Sequence, residues 1–165
     1  MDGEKKQIFQ LVLIKPTHYD DDGYPITWLR SHIPSNTLAA LYGLGEDCRQ
    51  RAVLGPDVDI AITPMDETNT RVRVDRIVRD FERGGGKGLI CLVGVQSNQF
   101  PHAVDLARKF LKAGLPVAMG GFHAADVDAA VARVRAVSRP GDAILAKASR
   151  GMRLERVIDA PVEKR

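Results

Sequence analysis

The stretch Gly88-Leu89-Ile90-Cys91-Leu92-Val93-Gly94-Val95 decides the fold. It is apolar without alternating, so a strand built from it must be covered on both faces, as in a parallel sheet with helices above and below. Working outward, four more runs share this character: residues 9–15, 58–63, 116–120 and 143–148. Between them lie helical periods. Val74, Ile77, Val78 and Phe81 fall at i, i+3, i+4, i+7, and Ala103, Ala107, Phe110 and Leu111 give a similar stripe. Val127, Ala130, Val131 and Val134 give another, and Leu38, Leu41, Tyr42 and Gly45 a weaker one. Each stripe is expected to lie on one face of the sheet.

The punctuation agrees. Ser35 or Asn36 is placed to cap the first helix, Asn98 the third, with Pro101 in its first turn, and Asp126 the fourth. Gly84-Gly85-Gly86 and Gly114 follow helices where a left-handed exit is needed, and Pro140-Gly141 turns into the last strand. Strand then helix, five times over, predicts one α/β domain spanning residues 1–165. Its sheet is expected to be five-stranded, parallel and doubly wound in the flavodoxin-like order 2-1-3-4-5, with helices on both faces. The longest irregular stretch, 16–34, follows the first strand.

Composition bounds the function. The 165 residues are 44% hydrophobic and 27% charged, ordinary for a globular chain. A net charge of +3 is too small to argue for nucleic acid or a membrane surface. The bases Arg71, Arg73, Arg76 and Arg79 interleave with Asp75 and Asp80, which reads as a solvated helix face. No apolar run approaches membrane-spanning length and no secretory leader is visible, so a cytoplasmic location is expected. Cys48 and Cys91 stand too far apart for a metal or redox motif, and Cys91 is expected as a buried thiol.

Local motifs carry little chemistry. Asp20-Asp21-Asp22-Gly23 lacks the alternate spacing of a calcium loop and reads as an acidic turn. Gly84-Gly85-Gly86-Lys87 precedes a strand instead of following one, so it is not a phosphate loop. His102 and His123 are isolated, with His102 expected in the first turn of a solvated helix. No nucleophile–base order and no paired acids suggest an enzyme.

Two resemblances meet at Gly120-Gly121. Residues 15–44, beginning Lys15-Pro16-Thr17-His18-Tyr19, together with Gly94-Val95-Gln96-Ser97-Asn98-Gln99-Phe100-Pro101 and Gly120-Gly121-Phe122-His123, resemble the amino-terminal domain of cobalamin-binding radical SAM proteins. The resemblance covers about residues 7–123, and the corresponding fragment is 1–121. It implies a flavodoxin-like fold with a cobalamin crevice at the carboxyl ends of the strands. The crevice candidates it implies are Thr17, His18, Ser97, Gly120 and Gly121. That family's C-x3-C-x2-C cluster motif is absent from the sequence, and so is the Asp-x-His-x-x-Gly pattern of a cobalt-ligating histidine, because Gly23 lies too far beyond His18.

After the seam, the turn Arg139-Pro140-Gly141-Asp142, the strand ending at Lys147 and Ala148, and Ser149-Arg150-Gly151 opening the last helix resemble something else. They are similar to the carboxyl-terminal domain of the Mur ligase that joins D-alanyl-D-alanine to the UDP-N-acetylmuramoyl tripeptide. This covers about residues 122–159 within the fragment 122–165. Ala148 stands where that family usually has glycine. The resemblance implies a Rossmann-like segment without the ATP site, and an anion-binding candidate at Ser149, Arg150 and Gly151.

The leading expectation is therefore a fused or engineered chimeric α/β scaffold with no evolved catalytic activity, no metal and no cofactor. The alternative is binding of cobalamin, or a nucleotide-like ligand, at the carboxyl edge of the sheet. Neither nucleic acid nor membrane is an expected partner. A homodimer is an expected possibility through surface that the parent domains once covered, with Trp28 and the 16–34 stretch at its centre.

Overall fold

A computed structural model of the chain describes residues 6–28 and 35–121. The chain divides into two units, 1–121 and 122–165, and the described residues belong to the first. The expected strand at 143–148, the helices around it and Ser149, Arg150 and Gly151 lie outside the described residues.

The described unit is α/β. Its strands are β1 (Gln7–Lys15), β2 (Val58–Asp66), β3 (Gly88–Val95) and β4 (Val117–Gly121). Between them run α1 (Asn36–Gln50), α2 (Val74–Arg83) and α3 (Phe100–Lys112). The four strands form one parallel sheet in the order β2-β1-β3-β4. Leu11 of β1 stands between Ile62 of β2 and Leu89 of β3, so β1 is paired on both sides.

Alternation along the strands sorts the two faces. Val12 and Ile14 of β1 and Ile90 and Leu92 of β3 point to one side. There they are buried with Ile77 and Phe81 of α2 and with Ala103, Leu106 and Phe110 of α3. The opposite face belongs to α1, where a Cβ on Gly45 would stand 2.9 Å from Ile62 Cδ1 and 3.3 Å from Leu11 Cδ2. A glycine there lets α1 lie close on β1 and β2, and Leu13, Ile60 and Val93 are buried in this unit as well. Right-handed crossovers require this split, with α1 opposite to α2 and α3.

Helix ends follow local chemistry. Ser35 caps α1, its hydroxyl accepting from Leu38 N at 3.2 Å, which decides between Ser35 and Asn36. Asn98 does not cap α3. Gln99 is the N-cap residue, in an α-helical conformation without a side-chain cap bond, and Pro101 sits in the first turn as expected. Gln99 instead turns its side chain back, Oε1 accepting from Gln96 N at 3.0 Å, so the β3–α3 turn is closed from within. Gly84 leaves α2 at φ −81°, and the left-handed turn comes at Gly85 and Gly86.

Strand β3 carries an irregularity. Its register against β4 shifts between Leu92 and Val95, and Gly94 has φ +64°. A left-handed glycine at a bulge inserts one extra residue and restores the inward direction of the next side chain. Val95 accordingly rejoins the α2/α3 core, 1% exposed. Strand β4, by contrast, is exposed over most of its length.

Several expected core positions lie outside the core. Tyr42 and Leu111 are exposed, because α1 is weakly amphipathic and the buried face of α3 is His102, Ala103, Leu106 and Phe110. Cys91 faces the α1 side and is half-buried, not fully buried. Burial still pushes its thiol pKa up.

Candidate functional site at the carboxyl edge of the sheet

In a doubly wound sheet, ligands bind outside the carboxyl ends of the strands, where neighbouring crossovers diverge. Here that point lies between β1 and β3, since the chain leaves β1 toward α1 and leaves β3 toward α3 on the other face. The segments meeting at this edge are 16–28 after β1, 67–73 after β2, 96–99 after β3 and the end of β4.

Thr17 is 1% exposed and fully engaged. Its backbone N donates to Glu67 Oε2 at 3.1 Å, and its hydroxyl donates to the Ile26 carbonyl at 2.7 Å. His18 is half-buried, and its carbonyl accepts from Ile26 N at 3.0 Å. Both residues thus hold the 16–28 segment in a closed loop, which is pinched further by the Tyr19–Pro25 bridge. The loop tip is the acidic turn expected from sequence. Asp20 Oδ1 accepts from Asp22 N at 3.1 Å and Tyr24 N at 2.7 Å, and Gly23 takes φ +84°. Asp20 is therefore spent on the backbone.

Ser97 is exposed in the β3–α3 turn. Gly120 and Gly121 are exposed at the end of β4, and a Cβ on Gly120 would meet nothing within 4 Å. Gly121 pairs with Val95, and a Cβ there would strike the Val95 backbone, so this position requires glycine for packing alone. Ser97, Gly120 and Gly121 share one end of β3 and β4, while Thr17 points into the protein.

The strongest chemistry at this edge comes from Glu67, which no motif marks, and from His102, expected on a solvated helix. Glu67, just beyond β2, and His102, in the first turn of α3, form a buried pair with Oε2···Nε2 2.8 Å. Their side chains are only 6% and 5% exposed. His102 is therefore not on a solvated face. The reason is position: it lines up with Leu106 and Phe110 at four-residue steps, and that row is the buried one. His102 Nδ1 is buried without a partner. A bare acceptor costs less than a bare buried donor when the other nitrogen is bonded to a carboxylate, so the Nε2–H tautomer fits best.

Tyr19 completes the cluster. Its ring meets His102 edge-on with centroids 4.8 Å apart, and its hydroxyl donates to Asp105 Oδ2 at 2.9 Å. Burial first, and then the bond to Asp105, raise the phenol above the usual tyrosine range. Arg108 donates to the other Asp105 oxygen at 3.2 Å. Beside the pair, Lys15 Nζ reaches Asp66 Oδ2 at 3.4 Å. The network ties the exits of β1 and β2 to α3, and its members bond mostly to one another.

Among the described residues no three histidines, cysteines or carboxylates are grouped to hold a metal ion. No helix of the described residues is long and apolar enough to cross a membrane. The fold defines the class: an α/β unit with a four-stranded parallel sheet and helices. Beyond that class, no protein-family model, no curated protein and no solved structure matches the chain.

Proposed function

We propose that the chain is a chimeric α/β scaffold, fused or engineered from two enzyme fragments, with no evolved catalytic activity. The observation that carries this reading is the closed network Thr17–Glu67–His102–Tyr19–Asp105 at the point where a doubly wound sheet would present reactive groups. Those side chains brace the loop ends against each other and leave little for a substrate. The division of the chain at Gly121 and Phe122 supports the two-fragment origin. The finer architecture belongs to the same proposal: a fifth strand at 143–148 completing the flavodoxin-like order 2-1-3-4-5. The exposure of β4 supports it, and amide exchange slowed across 143–148 in the full chain tests it.

The second reading is a ligand binder, for cobalamin or a nucleotide-like molecule. Exposed Ser97, Gly120 and Gly121 at one end of β3 and β4 favour it. Thr17 fits it poorly, being buried and saturated. Incubation with hydroxocobalamin followed by gel filtration separates the two. The scaffold reading expects no corrinoid absorbance with the protein peak, and stoichiometric retention sinks it. If corrinoid is retained, a spectrum unchanged in His18→Ala removes His18 as a cobalt ligand.

A further inference from the structure

A cavity of about 390 Å³ opens beside the first turn of α2, lined by Arg71, Val72, Arg73, Val74, Asp75 and Lys109. Its arginines differ from the other arginines among the described residues. Arg49, Arg51, Arg76, Arg79, Arg83 and Arg108 each pair with a carboxylate on their own helix or its end. Arg71 and Arg73 make no side-chain bond or ion pair among the described residues, and neither does Lys109. The one acid at the cavity, Asp75, is already held by Arg79 at 3.2 Å. The interleaved bases of this region therefore do two different things. Those within α2 are neutralised along the helix, and those at its entry gather around a cleft.

Val72 and Val74 also line the cavity, half-buried against the core beneath α2 and α3. Unpaired cations beside two valines suit an anion that carries an organic part. The planar guanidinium offers paired donors to a phosphoryl group, and lysine adds a point charge. With Asp75 neutralised by Arg79, two arginines and a lysine leave a positive surplus that suits a dianion. The volume exceeds that of a bare phosphate and leaves room for a small group over the two valines.

We propose that this cleft binds a small phosphate monoester, with Arg71, Arg73 and Lys109 on the phosphoryl oxygens and Val72 and Val74 under the organic part. The site is separate from the carboxyl-edge network and does not depend on it. The test is an amide NMR titration of the full chain with phenyl phosphate and, separately, inorganic phosphate. Phenyl phosphate is expected to saturate near millimolar concentration, with shifts centred on residues 71–75 and α3 around Lys109. Inorganic phosphate is expected to bind roughly 10-fold more weakly, the worth of about 1.4 kcal/mol of apolar contact. Arg71→Ser and Arg73→Ser should each weaken phenyl phosphate about 10-fold or more, the low end for a lost charged hydrogen bond. Arg83→Ser, exposed at the far end of α2, should leave it unchanged. Equal losses in Arg83→Ser, shifts centred elsewhere, equal affinity for the two probes, or no saturation would each overturn the proposal. All three substitutions are on exposed side chains, and unchanged spectra elsewhere will confirm that the fold is intact.

Discussion

Replacing His102 with leucine tests the carboxyl-edge network most directly. Leucine roughly keeps the volume, so the cavity contribution is small and the polar loss dominates. Glu67 Oε2 would keep only the Thr17 amide at 3.1 Å and lose the imidazole at 2.8 Å. Breaking a buried pair by removing one partner costs about 3–5 kcal/mol, and the surviving donor places this case near ~3 kcal/mol. Glu67→Met should cost about the same, because it strands both the Thr17 N–H and the imidazole. The double variant removes both side-chain partners and should cost no more than either single, a coupling of about 3 kcal/mol, at the top of the range for contacting residues. Urea unfolding followed by far-ultraviolet circular dichroism is the assay, since Trp28 is 64% exposed and a poor reporter of burial. With a slope near 2 kcal/mol per molar, each single variant should lower the midpoint by about 1.5 M. Additive single effects, or singles within about 1 kcal/mol of the parent, would refute the reasoning.

Other expectations follow from single contacts. Gly88→Ala should destabilise by about 3 kcal/mol in the same assay, because the added methyl falls on the Gln10 carbonyl and the Phe81 ring. Ser35→Ala should cost about 1 kcal/mol through loss of the α1 cap, while Asn36→Ala leaves stability almost unchanged. Tyr19 holds its proton more tightly when folded. Its contribution is therefore complete below the ordinary tyrosine range and lost as pH rises through the raised value. Absorbance at 295 nm, compared with Tyr19→Phe, should show the late titration, and Asp105→Asn should bring it earlier. Cys91 should react with a thiol reagent more slowly than a free cysteine at pH 8, because burial disfavours its thiolate.

The sheet was legible because its signal is repeated. Four nearly continuous apolar runs mark β1 to β4, and the three that differ from the observed strands differ only at their ends. The helices were legible as stripes, but the stripe chosen for α3 was rotated. Taking Leu111 in place of His102 and Leu106 followed hydrophobicity alone, and a histidine in a buried row breaks that rule only when a partner such as Glu67 waits across the sheet edge. No spacing in the sequence joins residues 67 and 102. The parallel topology does so by bringing every strand exit to one side. The cationic cleft was hidden for a similar reason: Arg71 and Arg73 read like Arg76 and Arg79 until the helix geometry shows which acids lie within reach.

The position of β1 at the middle of the sheet has a consequence for how the chain is made. It leaves the ribosome before both of its partners, pairing with Val58 onward on one side and Gly88 onward on the other. There is no hairpin to occupy it in the meantime. Until β2 and β3 emerge, Gln7–Lys15 is a β-prone segment whose single charge is the terminal Lys15, with two open edges, the kind that self-associates. Synthesis of this protein therefore has a vulnerable interval set by topology, and nascent-chain holdases or lower temperature should raise its soluble yield more than any change to the finished structure.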